Sequence, residues 1–293
     1  MVVNARLLFV HALSPLHPGT GQGTGVIDLP VAREKSTGIP YLPGSSLKGV
    51  LRDACDDKDL RKRVFGPDTD YAHEHAGSIQ VSDQRLLLMP VRSLIGTFAW
   101  VTSPFILRRL VRDAQAAGIT GIPADVPSPG ERRMCIVSQE KAPIVHNGQV
   151  ILEDLDLRAA VTDDARAWAE WVGKQVFPGD AYWQETLTGR FCIVDDDVMS
   201  FLLDTATEVV ARIRLQEQSK TVERGGLWYE EMLPAETILY GLVAAIPVMA
   251  KPDEVFRTLA RLIEKPLQIG GKATVGHGLC RLTLVGGMAR ADT

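Results

Sequence analysis

Residues 14–44 form a long segment with little hydrophobic periodicity, in which glycine occupies every second position from Gly19 to Gly25. The segment lies between an apolar run at residues 6–13, which predicts a buried strand, and residues 44–56, whose apolar spacing predicts a helix. An irregular segment of this length is uncommon inside a compact domain and is typically functional. The motif G-x-G-x-x-G does not fit in any register. The glycines therefore indicate close backbone approach to a ligand or another chain, or else a flexible surface loop.

The composition is that of an ordinary globular chain of 293 residues, 45% hydrophobic and 23% charged, which is enough to bury a sizeable core. The formal net charge of −4 argues against a free-standing nucleic-acid binder, so any polyanion site must be a local patch. The four cysteines include no C-x-x-C pair, and nothing demands disulfides. The longest apolar stretch, residues 239–250, is shorter than the roughly 20 residues that span a bilayer. These features predict a cytoplasmic protein without a membrane partner.

Local patterns elsewhere predict alternating strands and helices. Strands are predicted at residues 78–88, 236–246 and 279–285, and helices at 104–117, 163–176, 195–215 and from Pro252 onward. Residues 117–150 are rich in proline and glycine and are predicted to form an irregular insertion. The order β, α, β, insertions, β, α, β suits an α+β fold of the ferredoxin-like type.

The start of the first helix has the composition of an anion site. Ser45 and Ser46 follow Gly44, where they could act as N-cap residues and where free backbone N–H groups favour anions. Lys48 and Arg52 share one face of this helix, and an anion between them would relieve their repulsion. A capped surface helix with solvated cations explains the same residues.

A second glycine-rich loop, residues 270–278, carries Gly270, Gly271, Lys272 and His277. It differs from the Walker A motif because His277 stands where that motif has lysine. Its backbone N–H groups beside a lysine could hold a polyanion, and a tight turn between strands is the alternative. Two such segments at opposite ends of the chain, each with a lysine, favour one shared surface that follows phosphates.

Asp28 lies among aliphatic residues in the sequence VIDLPV. A carboxylate in such surroundings has either a structural role, as a cap or in a turn, or a functional role. Pro30 nearby supports the turn. The functional alternatives are binding of a divalent cation and removal of a proton from an attacking hydroxyl. His17, in the same segment, is a second candidate, and a purely structural role is its alternative.

Two clusters of charged residues have simpler interpretations. Asp68, Asp70, His73, Glu74 and His75 are possible metal ligands, but they do not satisfy H-E-x-x-H and are interpreted as a solvated loop. The basic clusters at residues 61–63 and 108–112 are interpreted as solvated faces, because aromatic residues do not alternate with them as they do in RNA-binding strands.

Several segments together resemble the RAMP superfamily of CRISPR proteins, and within it the repeating backbone subunit, the fourth, of the type III-B Cmr module. The resemblance is carried by residues 11–22 (HALSPLHPGTGQ), 26–30 (VIDLP), 39–49 (IPYLPGSSLKG), 90–94 (PVRSL), 100–104 (WVTSP), 227–234 (LWYEEMLP) and 270–276 (GGKATVG). It is weakest over residues 118–165. It implies a single RAMP domain over residues 1–293, with insertions at approximately 55–75, 117–165 and 180–235.

The resemblance implies an α+β fold with a ferredoxin-like (RRM-like) palm, an inserted helical region and a projecting β-hairpin thumb. Copies of the subunit would stack as a helical filament along CRISPR RNA, with other Cmr-module subunits as partners. The thumbs would distort the duplex of guide and target. Complementary target RNA would then be cut at regular intervals by an endoribonuclease reaction that needs Mg²⁺ or another divalent cation.

The resemblance also implies roles for individual residues. Asp28 matches the family's essential acidic residue and would bind the cation. His17 and the segment Trp228-Tyr229-Glu230-Glu231 match positions proposed to line the same catalytic site, with Tyr229 and Glu230 as candidate catalytic residues. The residues that would hold phosphates of the guide RNA are Ser45, Ser46, Lys48, Arg52, Gly270, Gly271, Lys272 and His277.

Two other functions are compatible with the sequence. A backbone or capping RAMP subunit of a type III effector would bind RNA without cutting it, and the effect of Asp28→Ala on cleavage separates it from the nuclease. A phosphate-ligand enzyme built on the glycine-rich loops would bind a nucleotide as a monomer in the absence of RNA.

Overall fold

The computed structural model describes residues 4–21, 23, 25–71, 73 and 75–286. The helices in this part of the chain are α1 (Gly44–Asp53), α2 (Lys58–Phe65), α3 (Pro104–Ala116), α4 (Asp163–Val176), α5 (Ala181–Arg190), α6 (Asp196–Thr205) and α7 (Pro252–Leu262). The strands are β1 (Asn4–Ala12), β2 (Tyr41–Leu42), β3 (Ile79–Val81), β4 (Gln84–Arg92), β5 (Phe98–Thr102), β6 (Met134–Val137), β7 (Gln149–Leu152), β8 (Leu155–Val161), β9 (Phe191–Val194), β10 (Glu208–Leu215), β11 (Val222–Met232), β12 (Ile238–Ala245), β13 (Leu267–Gln268) and β14 (Leu279–Val285). One-turn 3₁₀ helices lie at Thr69–Tyr71 and Ala273–Val275.

Twelve strands form one mixed sheet in the order β13-β14-β1-β12-β4-β5-β9-β6-β8-β7, with β2 beside β4 and β3 beside β12. The pairs β5/β9 and β6/β8 are parallel, and the other pairs are antiparallel. The fold class is therefore α+β, as the sequence predicts.

Helices cover both faces of the central strand β1. Residues 7–10 are all buried, whereas a strand covered on one face would have alternating buried and exposed side chains. On one face, Phe9 meets Trp171 of α4 with 6.1 Å between ring centroids. On the other face, the guanidinium of Arg6 lies 4.1 Å from the ring centroid of Phe256 in α7. The long segment 14–44 leaves the end of this strand, so β1 fixes where that segment starts.

Strands β10 and β11 form a separate two-stranded antiparallel sheet. Just beyond the end of β11, Leu233 pairs with Leu16, and each backbone N–H donates to the other's carbonyl across 2.8 Å. The hairpin is therefore rooted beside the start of the segment 14–44. No helix in the described ranges is long and apolar enough to cross a membrane.

The strands predicted at residues 6–13, 236–246 and 279–285 are confirmed, and so are the helices predicted at 44–56, 104–117, 163–176 and from Pro252. These elements have strong local periodicity. In the helix at 163–176, the Thr162 side chain additionally accepts a hydrogen bond from the Ala165 N–H and caps the first turn.

Three predictions of secondary structure are wrong. The helix predicted at 195–215 ends at Thr205, and β10 begins at Glu208 with side chains that alternate in exposure. The strand predicted at 78–88 is divided into β3 and β4 by Ser82 and Asp83. The insertion predicted to be irregular at 117–150 contains β6, whose apolar run Met134–Val137 pairs with β8 and β9 inside the sheet.

Candidate functional site

Asp28 lies on the segment 14–44, where that segment runs beside β11. Its side chain is exposed, and Oδ2 accepts a hydrogen bond from the backbone N–H of Tyr229 at 2.8 Å. The neighbouring Leu29 donates to the Tyr229 carbonyl at 3.1 Å and accepts from the Glu231 N–H at 3.0 Å. Backbone pairing therefore places Asp28 beside residues Trp228–Glu231. Within these residues, the Tyr229 side chain lies on the opposite face of β11 from Trp228, since successive side chains of a strand alternate.

Glu230 is buried and surrounded by donors. Its Oε1 accepts from Lys272 Nζ at 2.5 Å and from Trp228 Nε1 at 2.7 Å, and its Oε2 accepts from Arg212 Nε at 3.4 Å. Burial raises the pKa of this carboxyl, but the hydrogen bonds and the charges of Lys272 and Arg212 outweigh it and hold the pKa below its ordinary value. Glu230 is therefore an ionised anchor for two cations.

Glu231 holds the loop that follows Asp28. Its buried carboxylate accepts from the Val31 N–H at 3.0 Å and from Arg33 Nη2 at 2.6 Å. The same guanidinium donates to the carbonyls of Gly38 and Leu203. One arginine thus joins β11, α6 and the segment 14–44, and this network limits the movement of the backbone that carries Asp28.

A second clamp holds this segment against α3. Arg109 donates to both carboxylate oxygens of Glu34, at 2.8 and 2.5 Å, and this hydrogen bonding lowers the pKa of Glu34. The Arg109 side chain is only 13% exposed. The interpretation of residues 108–112 as a solvated face is therefore wrong for Arg109, because a carboxylate distant in the sequence pairs with it.

His17 is the point at which the two glycine-rich segments meet. Its ring is buried, and Nδ1 lies 2.7 Å from the Glu231 carbonyl, which requires the proton on that nitrogen. A Cβ on Gly19 would lie 2.5 Å from His17 Nε2, and a Cβ on Gly270 would lie 2.6 Å from the His17 carbonyl oxygen. Gly271 donates its N–H to that same carbonyl at 3.1 Å. Glycine is therefore required where the backbones approach this histidine.

The loop 270–278 presents Lys272 and His277 to the hairpin. Lys272 has a left-handed backbone, with φ of 68°, and is the N-cap residue of the short 3₁₀ helix. His277 Nε2 lies 3.2 Å from Arg212 Nη2, so this ring also faces β10. The loop 270–278 thus contacts both the segment 14–44 and the hairpin, whereas Lys48, with which the sequence predicts a shared surface, lines a different cavity from Lys272.

Between the segment 14–44, the hairpin and the loop 270–278 lies an open cleft with a volume of about 460 Å³. It is lined by Gly23, Asp28, Leu29, Arg214, Gly225, Leu227, Trp228 and Lys272. A carboxylate and two cationic side chains thus share one cleft. Such a set can bind a phosphodiester and accept a proton from a nearby hydroxyl.

The chain matches the RAMP superfamily over residues 9–281. It is also 40% identical over 294 residues, covering 96% of each protein, to the CRISPR system Cmr endoribonuclease Cmr4 of Pyrococcus furiosus. The chain belongs to the RAMP superfamily.

Solved structures similar to this RAMP protein share its fold. The crystal structure of oligomeric Cmr4 from Pyrococcus furiosus gives a TM-score of 0.76 at 31% identity, covering 97% of this chain and 98% of that one. A chain in the cryo-EM structure of a type III-B Cmr-β complex bound to cognate target RNA gives a TM-score of 0.74 at 21% identity, covering 96% of each. At the lower identity the likeness establishes the fold alone.

The other predicted anion site of this RAMP protein is separate from the Asp28 cleft. Ser45 and Lys48 line a second cavity of about 760 Å³ beside β3 and β12. The prediction that serines cap α1 is wrong, because Pro43 is the N-cap residue and the Gly44 N–H donates instead to Asp83 Oδ1 at 2.8 Å. Ser46 is exposed beside Ser45, and both hydroxyls are left to face solvent.

The two cations of α1 differ in their surroundings. Arg52 donates to the Gly66 carbonyl at 2.5 Å and to Asp68 Oδ1 at 2.6 Å. Lys48 is partly buried, and this burial together with the charge of Arg52 lowers its pKa. A phosphate that binds here would therefore stabilise the charged form of Lys48, whereas Arg52 already has a carboxylate partner in Asp68.

The acidic and histidine-rich loop of residues 68–75 contains Glu74, which lies outside the described residues. Elsewhere in the part of the chain that the structure describes, no three His, Cys, Asp or Glu side chains are grouped as a metal site. The four cysteines are free and buried.

Three site residues were not found from the sequence: Arg33, Arg212 and Arg214. Two of them lie on β10, inside the segment misassigned as a helix, and the third was not distinguished from other charged residues of the segment 14–44. The signal that could have located the hairpin is the alternation of residues 208–215 together with the glycine pair Gly225-Gly226, since glycine inside a strand indicates a bulge.

Proposed function

We propose that this RAMP protein is a repeating backbone subunit of a type III-B CRISPR ribonucleoprotein that binds CRISPR RNA and cleaves complementary target RNA. The observation that carries the proposal is the exposed carboxylate of Asp28, held by the Tyr229 N–H in a cleft that also contains Lys272 and Arg214. The 40% identical Cmr4 is named an endoribonuclease. A fixed carboxylate beside cations is the arrangement that phosphodiester cleavage needs.

The strand order and the hairpin support a palm and a thumb of the kind such a subunit would have. Antiparallel strands β14-β1-β12-β4 lie in the order fourth, first, third, second along the chain, with α1 after the first and α7 after the third. This order supports a ferredoxin-like palm. The hairpin β10–β11 supplies the thumb, and the single domain over 1–293 carries its insertions at approximately 55–75, 117–165 and 180–235.

The reaction that suits the cleft is attack by a nucleotide's own 2′-hydroxyl on the adjacent phosphorus. The bond from the 2′ oxygen to phosphorus forms and the bond from phosphorus to the 5′ oxygen breaks, which gives a 2′,3′-cyclic phosphate and a 5′-hydroxyl. Asp28 can take the proton of the attacking hydroxyl, because its carboxylate is fixed and exposed. The leaving 5′ oxygen takes up a proton, for which water in the open cleft is available.

Duplex geometry explains why cutting would occur only at intervals. An A-form helix holds the 2′-hydroxyl away from the line of attack, so the reacting nucleotide must be unstacked. The exposed apolar side chains of the hairpin, among them Ile213 and Leu227, are suited to separating neighbouring bases. In a filament of copies, each subunit would therefore make one cut in the target RNA.

The residues fit a divalent cation at Asp28. Among the described contacts Asp28 uses only Oδ2, and Mg²⁺ is commonly held by one or two carboxylates together with phosphate oxygens of the substrate. Mg²⁺ or another divalent cation, when bound, supplies stabilisation of the charge that develops on the phosphate. Asp28 would serve this cation as a ligand, and Glu230 would not, since Lys272, Trp228 and Arg212 occupy it.

Guide RNA would lie along the second cavity and the glycine-rich loop. Ser45, Ser46 and Lys48 offer hydroxyls and a partly buried ammonium for phosphates, and Arg52 would exchange Asp68 for a phosphate oxygen. Gly270, Gly271 and His277 would place the backbone of the loop near the RNA. Each copy would make few contacts with the guide RNA, and the filament of copies with the other Cmr-module subunits would bind it through the sum of these contacts. The complex would act in the cytoplasm.

The test uses the reconstituted, guide-loaded complex with labelled complementary RNA and Mg²⁺, comparing wild type with Asp28→Ala. We expect evenly spaced fragments from wild type and none from the variant at equal target binding. The matched control is Asp156→Ala, which removes an exposed carboxylate of β8 outside the cleft. Unchanged cutting by Asp28→Ala would make this chain an RNA-binding backbone or capping subunit and move the chemistry elsewhere.

A further inference from the structure

The hairpin β10–β11 has an irregular register opposite Arg214. Ile213 pairs with Leu227, but Leu215 pairs with Val222, so the strand β11 contains extra residues at this point. Gly225 has φ of 76°, a left-handed conformation that favours glycine. A Cβ on its neighbour Gly226 would lie 3.1 Å from the Arg214 Cβ and 2.9 Å from the Glu223 carbonyl oxygen. The glycine pair thus makes the bulge and gives Arg214 its space.

Bulges often direct a side chain toward a functional site. Arg214 lines the same cleft as Asp28, Lys272 and Trp228. It also lies on the same face of β10 as Arg212, since residues two apart in a strand share a face. A regular hairpin with larger residues at 225 and 226 would not leave this position open.

The three cations near the cleft are not equivalent. Lys272 and Arg212 both donate to the buried carboxylate of Glu230. Arg214 Nη1 lies 3.7 Å from Glu223 Oε2, and the two side chains are 70% and 47% exposed. An exposed pair at this distance contributes little, so Arg214 can exchange Glu223 for a phosphate at small cost.

We propose that Arg214 is a catalytic residue that binds the non-bridging oxygens of the scissile phosphate. This inference rests on the proposed cleavage of RNA in the Asp28 cleft. As the 2′ oxygen bonds to phosphorus and the 5′ oxygen leaves, negative charge accumulates on those oxygens. The planar fork of the guanidinium donates two parallel hydrogen bonds to them. Glu230 holds Lys272 and Arg212 in place, and the bulge directs Arg214 to the reacting group.

The test is the single-turnover cleavage rate of the reconstituted, guide-loaded complex at saturating labelled target RNA. We expect Arg214→Ala to cut about 100-fold more slowly, as for loss of one donor to a developing oxyanion, with target affinity within about 3-fold of wild type. Arg214→Lys keeps the charge without the fork and should recover part of the rate. Added guanidinium ion should accelerate Arg214→Ala and leave wild type unchanged.

The matched control is Arg224→Ala, an exposed arginine of the same hairpin outside the cleft, which should cut at the wild-type rate. Cutting by Arg214→Ala at the wild-type rate, or a loss confined to target affinity, would overturn the role of Arg214. Asp28→Ala, measured in the same series, separates the two proposals. If Asp28→Ala is inactive while Arg214→Ala is fully active, the nuclease site stands and only the inference on Arg214 fails.

Discussion

The backbone N–H of Tyr229 donates to Oδ2 of Asp28 across 2.8 Å, and the two residues are 201 positions apart in the sequence. This contact fixes the orientation of the carboxylate on the part of the segment 14–44 that lies between β1 and β2. It also ties the position of Asp28 to the root of the hairpin, so the residue proposed to start the reaction and the element proposed to distort the RNA move together.

Loss of the Glu230 carboxylate should destabilise the protein. In Glu230→Ala, Lys272 and Arg212 lose their common anion and Trp228 loses its acceptor. We expect the free energy of unfolding to fall by about 2 kcal/mol, less than for a fully buried pair because both cations are partly exposed. Urea denaturation of the purified chain measures it. Glu223→Ala, at an exposed carboxylate of the same hairpin, should change it by less than about 0.5 kcal/mol.

The stabilisation by Glu230 should depend on pH. Because the pKa of Glu230 is lowered in the folded protein, its ionised form favours folding. This contribution is complete above the ordinary carboxyl pKa and is lost as the pH falls through the lowered value. The difference in unfolding free energy between wild type and Glu230→Gln should be constant above about pH 5 and decrease at lower pH. A difference that grows on acidification would contradict this assignment.

Two glycine-to-alanine substitutions in the loop 270–278 should distinguish the effect of a close contact with His17 from the effect of a left-handed backbone on stability. Gly270 and Gly276 both have positive φ, at 77° and 86°. A Cβ on Gly270 would lie 2.6 Å from the His17 carbonyl oxygen, whereas a Cβ on Gly276 would have no neighbour within 4 Å. Gly276→Ala should lower the free energy of unfolding by about 1 kcal/mol, because its backbone is left-handed. Gly270→Ala should lower it clearly more, because the added Cβ also meets the His17 carbonyl. Equal thermal shifts for the two variants would rule out the close contact.

Arg33 should position the Asp28 segment without touching RNA. Arg33→Met removes the donor to Glu231 and to the Gly38 and Leu203 carbonyls. We expect about 10-fold slower cleavage at unchanged target affinity, since a small misplacement of a reacting group has a large effect on rate. Hydrogen exchange of the Val31 amide should also accelerate. Lys35→Met, at an exposed neighbour, should alter neither quantity.

The cysteines should resist alkylation in the native protein. All four are buried, and burial raises the pKa of Cys280 to about 12. The thiolate is the reactive form, so iodoacetamide at pH 8 should leave Cys280 unmodified until guanidinium chloride unfolds the chain. Mass spectrometry of the labelled peptides measures this. Rapid native labelling of Cys280 would show that its strand β14 opens.

The sequence by itself determined the elements whose periodicity is local. The helices α3, α4 and α7 and the strands β1, β12 and β14 were predicted because one apolar face or one buried run is enough to specify each. The sequence does not predict the hairpin strand β10, although the apolar residues Val209, Ala211 and Ile213 occupy alternate positions. The acidic start of α6 and the residues that follow it also fit one amphipathic helix. Short buried runs such as β9 were missed, since a strand of four residues has no distinctive period.

For the site, the resemblance to the RAMP superfamily identified Asp28, His17 and the residues around Glu230. The sequence could not show that Glu230 is saturated by cations, that His17 is enclosed by three glycines, or that Arg214 lines the cleft. These properties depend on contacts between different segments of the chain, such as those of Glu230 with Arg212 and Lys272, which lie 18 and 42 residues away. Local periodicity and motifs carry information on a residue's neighbours in the chain, and the tertiary structure alone decides which charges share a cleft.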